Sequence, residues 1–273
     1  LSLREIVETL ALLTPWDIKD VQKVRIGRRD GDSGYVLLDM LRPSQKVYSF
    51  GIAHEVSFDL DMAERGLDCF MFDHTIEGLP RPHPRFHFHK LGIAGATEAE
   101  KSLLSLADHV AHFGHTDGDM ILKMDVEGWE WPALAAAPTE LLSRFEQISM
   151  EVHRLPQVVN PAFRRQAAEV LRKLNDTHTL FHVHANNHSP PVLVGGGLPV
   201  CPLLELSYVR SDLVERLPSR TLYPTELDAP NVGRAADTPL WFFPFTPVAA
   251  TPEGGRRPSY TPPWPGWRRR RRR

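Results

Sequence analysis

Residues 47–73 read VYSFGIAHEVSFDLDMAERGLDCFMFD. Two apolar runs, VYSF and DCFMF, flank a helically spaced segment over 56–65, which is the pattern of a βαβ unit around a parallel sheet. Gly51 follows the first run directly. In a doubly wound fold that turn binds a nucleotide-like ligand, because glycine lets the backbone approach closely and the next helix points its N-terminus inward. Asp73 closes the second run, 22 residues after Gly51, at the position where a carboxylate accepts hydrogen bonds from two ribose hydroxyls. The plain alternative for this pair is a tight turn and a helix-capping Asp. A pyrophosphate cofactor such as NAD wants three glycines in the loop, and here the three positions hold Gly51, Ala53 and Val56. A nucleoside without phosphates, S-adenosylmethionine, fits that loop better.

Outward from this unit the alternation continues. Strands are expected at 47–50, 68–72, 85–90, 120–124, 147–152, 179–184 and 203–209, and helices at 56–65, 98–113, 130–137 and 161–174. Seven strands alternating with helices predict an α/β, Rossmann-like, doubly wound sheet. Before it, Leu3, Ile6, Val7, Leu10 and Leu13 predict an amphipathic helix ending near Thr14 and Pro15, and residues 23–39 predict a hairpin. The Asp30, Asp32, Gly34 spacing in that turn is not a calcium loop, because Tyr35 and Leu41 stand where Gly and Glu are required. The expected organisation is a helix-and-hairpin cap over 1–45, a catalytic domain over 46–216 and a Pro/Arg-rich extension over 217–273, largely disordered from about residue 246.

The chain has 273 residues, 42% hydrophobic and 24% charged, as in ordinary globular proteins. Its net charge of −2 includes eight arginines, Arg256, Arg257 and Arg268 to Arg273, so the body is acidic and only the tail is basic. An acidic body argues against a duplex nucleic-acid surface. The tail is a candidate contact for an anionic partner. No stretch is long and apolar enough for a membrane span and no signal peptide is legible, so the default expectation is cytoplasmic. Cys69 and Cys201 alone exclude a disulfide framework.

The fourth expected strand runs into DMILKMDVEGWEWPAL. The segments SFGIAHEVSFDLDMAERG, FDHT, LKMDVEGWEWPAL, QISMEVH, HVHANN and LELSYVR, in that order, resemble the FkbM-type methyltransferase family over roughly residues 23–210, with LKMDVEGWE the most specific piece. The resemblance implies a class I methyltransferase fold with S-adenosylmethionine over the carboxyl ends of the first four strands. It implies that Gly51 is the cofactor-loop glycine, Asp73 the ribose-binding acid and Asp125 the acid closing strand four. Ala53 stands where a second glycine is common in the family, and His74 where proline is common; both belong to the expected cofactor site.

Strand periodicity independently places Glu151 with His153 on one face of the fifth strand, and His182, His184 and Asn186 on one face of the sixth. With Asp125 these groups are expected to line one crevice. Methyl transfer to a hydroxyl needs an in-line approach and a base, and His153 or His184 is the expected base. Asp125, Glu151, His153 and His184 are also donors for a divalent metal ion. Trp129 and Trp131 are expected either as an aromatic wall or as packing under the next helix, and residues 187–202 as part of the acceptor side. His87 and His89 are given no role. The leading expectation is O-methylation of a small-molecule or glycan hydroxyl; the alternatives are a metal-dependent hydrolase using the same acids and histidines, and an inactive binding module.

Overall fold

The computed structural model describes residues 3–115 and 119–247. Helix α1 (Leu3–Ala11) leads through a short strand (Trp16–Ile18) to an antiparallel hairpin of β1 (Lys23–Gly27) and β2 (Gly34–Leu38). There follow β3 (Lys46–Phe50), α2 (Ser57–Glu64), β4 (Asp68–Phe72), β5 (Phe86–His89), α3 (Leu106–His112), β6 (Met120–Met124), α4 (Glu130–Ala136), α5 (Thr139–Leu142), β7 (Phe145–Val152), α6 (Pro161–Thr177), β8 (His178–Ala185) and β9 (Leu204–Arg210). Seven of these strands form one sheet in the order β8-β9-β7-β6-β3-β4-β5. Every neighbouring pair is parallel except the two made by β9. This is the Rossmann-like, class I arrangement, and all seven expected strands belong to it.

The sheet is buried on both faces. Tyr48, Phe50, Leu122, Met124, Ile148 and Met150 pack with Leu10, Trp131, Leu134 and Leu171 on one side. Val47, Met71 and Ile121 pack with Ile26, Leu37, Phe58 and Met62 on the other. Two-sided burial is why β6 reads as the nearly unbroken apolar run MILKM. Helix α6 begins where Asn160 accepts a hydrogen bond from the Ala162 amide with Pro161 in the first turn, a favoured N-terminal arrangement.

One expected helix is shorter than its pattern. Over 98–113 only Leu106–His112 is α-helical; Ala99–Lys101 is a 3-10 turn, and Leu103–Leu104 is a strand pairing with Gly92–Ile93. The reason is local: Ser105 caps the helix by accepting from the Asp108 amide, which fixes the start there, while the two leucines before it satisfy their backbone against the neighbouring strand.

From residue 219 to 247 the chain has no helix or strand, yet Tyr223, Leu240 and Phe245 are buried in it. A short strand, Arg216–Pro218, pairs with Trp16–Ile18, joining the start of the extension to the N-terminal cap. The expected disorder and the poly-arginine tail lie outside the described residues from 248 onward. Among the described residues no helix is long and apolar enough to cross a membrane.

Candidate active site

Strand register sets the site. Phe50 of β3 pairs with both Phe72 of β4 and Met124 of β6, and Met124 pairs with Met150 of β7. The next residues, Gly51, Asp73, Asp125 and Glu151, therefore stand at one height along the carboxyl edge. On the far side Glu151 pairs with Glu205 of β9, which pairs with His184 of β8. The chain reverses its direction of sheet growth between β3 and β6, so this edge is the topological switch point where doubly wound folds bind ligands.

At the first turn, Gly51 has φ +77° and lies so close to β6 that a Cβ on it would sit 1.6 Å from the Asp125 carbonyl oxygen. The Gly51 amide donates to the Phe72 carbonyl at 3.1 Å and the Asp125 amide to the Phe50 carbonyl at 3.0 Å, so the contact is locked from both sides. Asp73 Oδ2 accepts from the Ile52 and Ala53 amides at 2.9 and 2.8 Å. Its Oδ1 accepts from the Thr75 amide and hydroxyl at 2.8 and 2.6 Å. Burial works against this carboxylate, but the four donors outweigh it and hold its pKa below the ordinary range. Four donors take up its lone-pair directions, so a ligand hydroxyl would reach it only by exchange, most cheaply with the rotatable Thr75 hydroxyl. The four also latch the bend, where Ala53 holds φ +48°.

Over this bend lies a cavity of about 750 Å³ whose walls include Gly51, Ala53, Asp73, His74, Ile93, Asp125 and Trp129. Of the two tryptophans, Trp129 is half exposed beside the cavity, whereas Trp131 is buried, packs edge-on against Phe163 and donates to the His153 carbonyl at 2.8 Å. A second compartment of about 330 Å³ adjoins the first, sharing Asp32, Asp125 and Glu127 and adding Glu151, His153, Asn186, His188 and Asn231.

The structure brings Asp125, Glu151 and His153 together. The His153 Nε2 lies 3.9 Å from Asp125 Oδ1, 3.3 Å from Glu127 Oε2 and 3.9 Å from Glu151 Oε1. Burial lowers the imidazole pKa, but Glu130, Asp125 and Glu127 outweigh it and the net position is above the ordinary range. Burial first, then Asp125 and Glu205, pushes the Glu151 carboxyl well up, and burial likewise raises Asp125 despite Lys123 nearby. The main chain of His153 is fixed from below by buried Glu130, whose Oε1 accepts from the His153 amide at 2.6 Å and whose Oε2 accepts from the Gly128 amide at 2.8 Å.

His184 is not part of this group. Both its ring nitrogens face carboxylates, Nδ1 at 3.0 Å from Glu205 and Nε2 at 3.0 Å from Asp237, so neither a free lone pair for a proton nor one for a metal remains. Burial would lower its pKa, yet Glu205 and Asp237 raise it to about 11. His182 is likewise paired with Asp228 at 2.8 Å. Both histidines thus tie the 219–247 segment to β8. Because the folded pKa of His184 is raised, its contribution to stability is complete below the unfolded value of about 6.5 and is lost as pH climbs toward the folded one. Thermal unfolding from pH 6 to 10 is expected to show a wild-type midpoint that falls more steeply than that of His184→Asn; parallel curves would refute the pairing.

Three contributors escaped the sequence reading. Lys123, buried in β6, donates to the Gly51 and Phe50 carbonyls at 2.5 and 3.4 Å and so pins the Gly51 turn. Its signal was a lone charge inside an apolar strand run, which burial makes costly unless partnered. Asp32, dismissed with the calcium loop, reaches both compartments from the hairpin turn, and Asn231 enters from the C-terminal segment, donating to Asp32 and Glu205 at 2.9 and 2.6 Å. No local pattern could have placed Asn231 there.

A solved structure described as a predicted O-methyltransferase from Agrobacterium tumefaciens matches with 14% identity over 74% of this chain and 95% of that one, at a TM-score of 0.34. No curated protein matches the chain significantly. The methyltransferase FkbM domain matches residues 39–179, just over half of the chain and the span from the end of β2 to the start of β8, which holds Gly51, Asp73, Asp125, Glu151 and His153. The chain belongs to the FkbM methyltransferase family.

Proposed function

We propose that this chain transfers a methyl group from S-adenosylmethionine to a hydroxyl of a small molecule or glycan. The observation that carries the reading is the latched bend: Gly51 packed where no Cβ fits, with Asp73 holding the next two amides beneath the 750 Å³ cavity. That cradle suits a nucleoside, and the carboxylates in the cavity lining, Asp32, Asp125 and Glu127 among them, favour a positively charged group. When bound, the cofactor supplies an electrophilic methyl carried on a sulfonium. The chain's own residues do the rest. Asp73 receives the sugar hydroxyls by exchange with Thr75, and His74 and Ile93 border the same cavity. The smaller compartment takes the acceptor, with Asn186, His188 and Asn231 offering polar contacts to a hydroxyl-rich molecule. Glu151 and His153 face it as the available proton acceptors, and a base must reach the hydroxyl for transfer to proceed. In this reading residues 46–216 are the catalytic domain, residues 1–45 cap it, and the extension from 217 walls the acceptor side.

Calorimetric titration with S-adenosylmethionine tests the cofactor assignment. Asp73→Ala is expected to weaken binding by roughly 10–100-fold, the worth of a lost charged hydrogen bond of about 1.5–3 kcal/mol. Thr75→Val removes only the exchangeable donor and is expected to bind nearly as wild type. Absence of heat with the wild-type chain, or full affinity in Asp73→Ala, would remove the reading.

A further inference from the structure

Two groups of three metal-competent side chains meet at the carboxyl edge: Asp125, Glu127 and His153, and Asp32, Glu151 and Glu205. They differ in how far the protein already satisfies them. In the second, Asn231 donates to Asp32 and Glu205, Asn186 donates to Glu151 at 3.1 Å, and His184 pairs with Glu205. In the first, His153 is 93% buried, its Nδ1 has no aligned hydrogen-bond partner, and its Nε2 has only ion-pair contacts. Nδ1 lies 3.4 Å from Glu130 Oε1 without hydrogen-bond alignment, and Nε2 is aimed among oxygens of Asp125, Glu127 and Glu151 at 3.3–3.9 Å. A buried polar group left this way is costly. Glu127 adds a further oddity: it is a non-glycine residue at φ +56°, an unfavourable backbone state that the Val126 to Trp129 turn sustains and that sends its carboxylate toward His153.

We infer that Asp125, Glu127 and His153 bind one divalent cation of the Mg²⁺/Mn²⁺ class at the junction of the two compartments. Two carboxylates with one imidazole are donors that suit Mn²⁺. The separations of Asp125 and Glu127 from Nε2, 3.9 and 3.3 Å, fit a single ion, since ligands at about 2.1 Å stand up to ~4.2 Å apart across it, and the three donor atoms lie within 4.8 Å of one another. Glu127 is exposed and closes the remaining gap by a rotamer change. This ligand set replaces the one expected from sequence: His184 is committed to Glu205 and Asp237, the Glu151 oxygen nearest His153 already accepts from Asn186, and Glu127 takes their place. At that junction the ion would hold and acidify an acceptor hydroxyl, leaving Glu151 as the nearest carboxylate to receive its proton. That catalytic role rests on the proposed function; the binding site itself does not.

The test is titration of the full chain with Mn²⁺, followed by the loss of the free-ion electron paramagnetic resonance signal, with no other ligand present. One ion per chain is expected. Glu127→Gln, an exposed change that the fold tolerates, and His153→Asn are each expected to weaken binding by at least tenfold, and each by more than Asp32→Asn does, since Asp32 acts on the site only through its charge. No binding to the wild-type chain, unchanged affinity in Glu127→Gln, or a larger loss in Asp32→Asn than in Glu127→Gln would overturn the inference. The same samples titrated with S-adenosylmethionine separate the two proposals: cofactor heat without Mn²⁺ binding sinks the cation site alone, and Mn²⁺ binding without cofactor heat upholds it while sinking the methyl-transfer reading.

Discussion

Gly51→Ala is expected to abolish binding of S-adenosylmethionine and to lower folding stability by about 2–5 kcal/mol, combining a left-handed backbone cost of ~1–2 kcal/mol with overpacking of ~1–3 kcal/mol. The added methyl would lie 1.6 Å from the Asp125 carbonyl oxygen at φ +77°, and no side-chain rotation relieves a clash with backbone. Retreat of the turn is blocked as well, because the Gly51 and Asp125 amides are both bonded across the β4–β3–β6 ladder. The strain must therefore open β3 from β6 at its carboxyl end, where the cradle lies. Urea unfolding and calorimetry on the same preparation measure both effects. Wild-type affinity in this variant would mean that the cofactor does not sit over this turn.

Glu130→Ala is the second large effect. Its carboxylate, fully buried, is the acceptor for the Gly128 and His153 amides. Removal leaves two donors without a partner, at about 1–3 kcal/mol each, so a loss of roughly 2–6 kcal/mol is expected in urea unfolding. The damage should fall on one side of the site. His153 lines the smaller compartment alone, so the folded fraction should keep more of its affinity for S-adenosylmethionine than of its affinity for Mn²⁺. Glu130→Gln retains one acceptor oxygen and is expected to recover part of the stability. A variant that lost cofactor affinity and cation affinity in equal measure would show that the two compartments are not independently supported.

The contrast between these residues shows what was legible in the chain. The seven sheet strands could be read because two-sided burial demands continuous apolar runs, and Gly51 and Asp73 because each ends such a run. Asp125, Glu151 and His153 follow from the same rule once the strands are aligned in register. Partnership was less accessible. His184 has the same strand-end placement as His153 and reads identically, but its fate was decided by Asp237, 53 residues away along a segment without regular structure. The 219–247 stretch reads as a Pro-rich extension because its burial comes from scattered side chains, Tyr223, Leu240 and Phe245, with no periodicity to reveal them. The false helix start over 98–105 came from apolar spacing alone, which cannot weigh a capping serine against a two-residue strand.

The central claim is that a nucleoside lies over the Gly51 bend with its sugar at Asp73, and a crystal structure of the chain with S-adenosylhomocysteine tests it most directly. The ribose is expected within hydrogen-bond reach of the Asp73 carboxylate, the Thr75 hydroxyl turned away from it, and the sulfur directed toward Asp125 and the smaller compartment. A nucleoside bound elsewhere, or a complex in which Asp73 keeps all four of its present donors and touches no sugar oxygen, would contradict it.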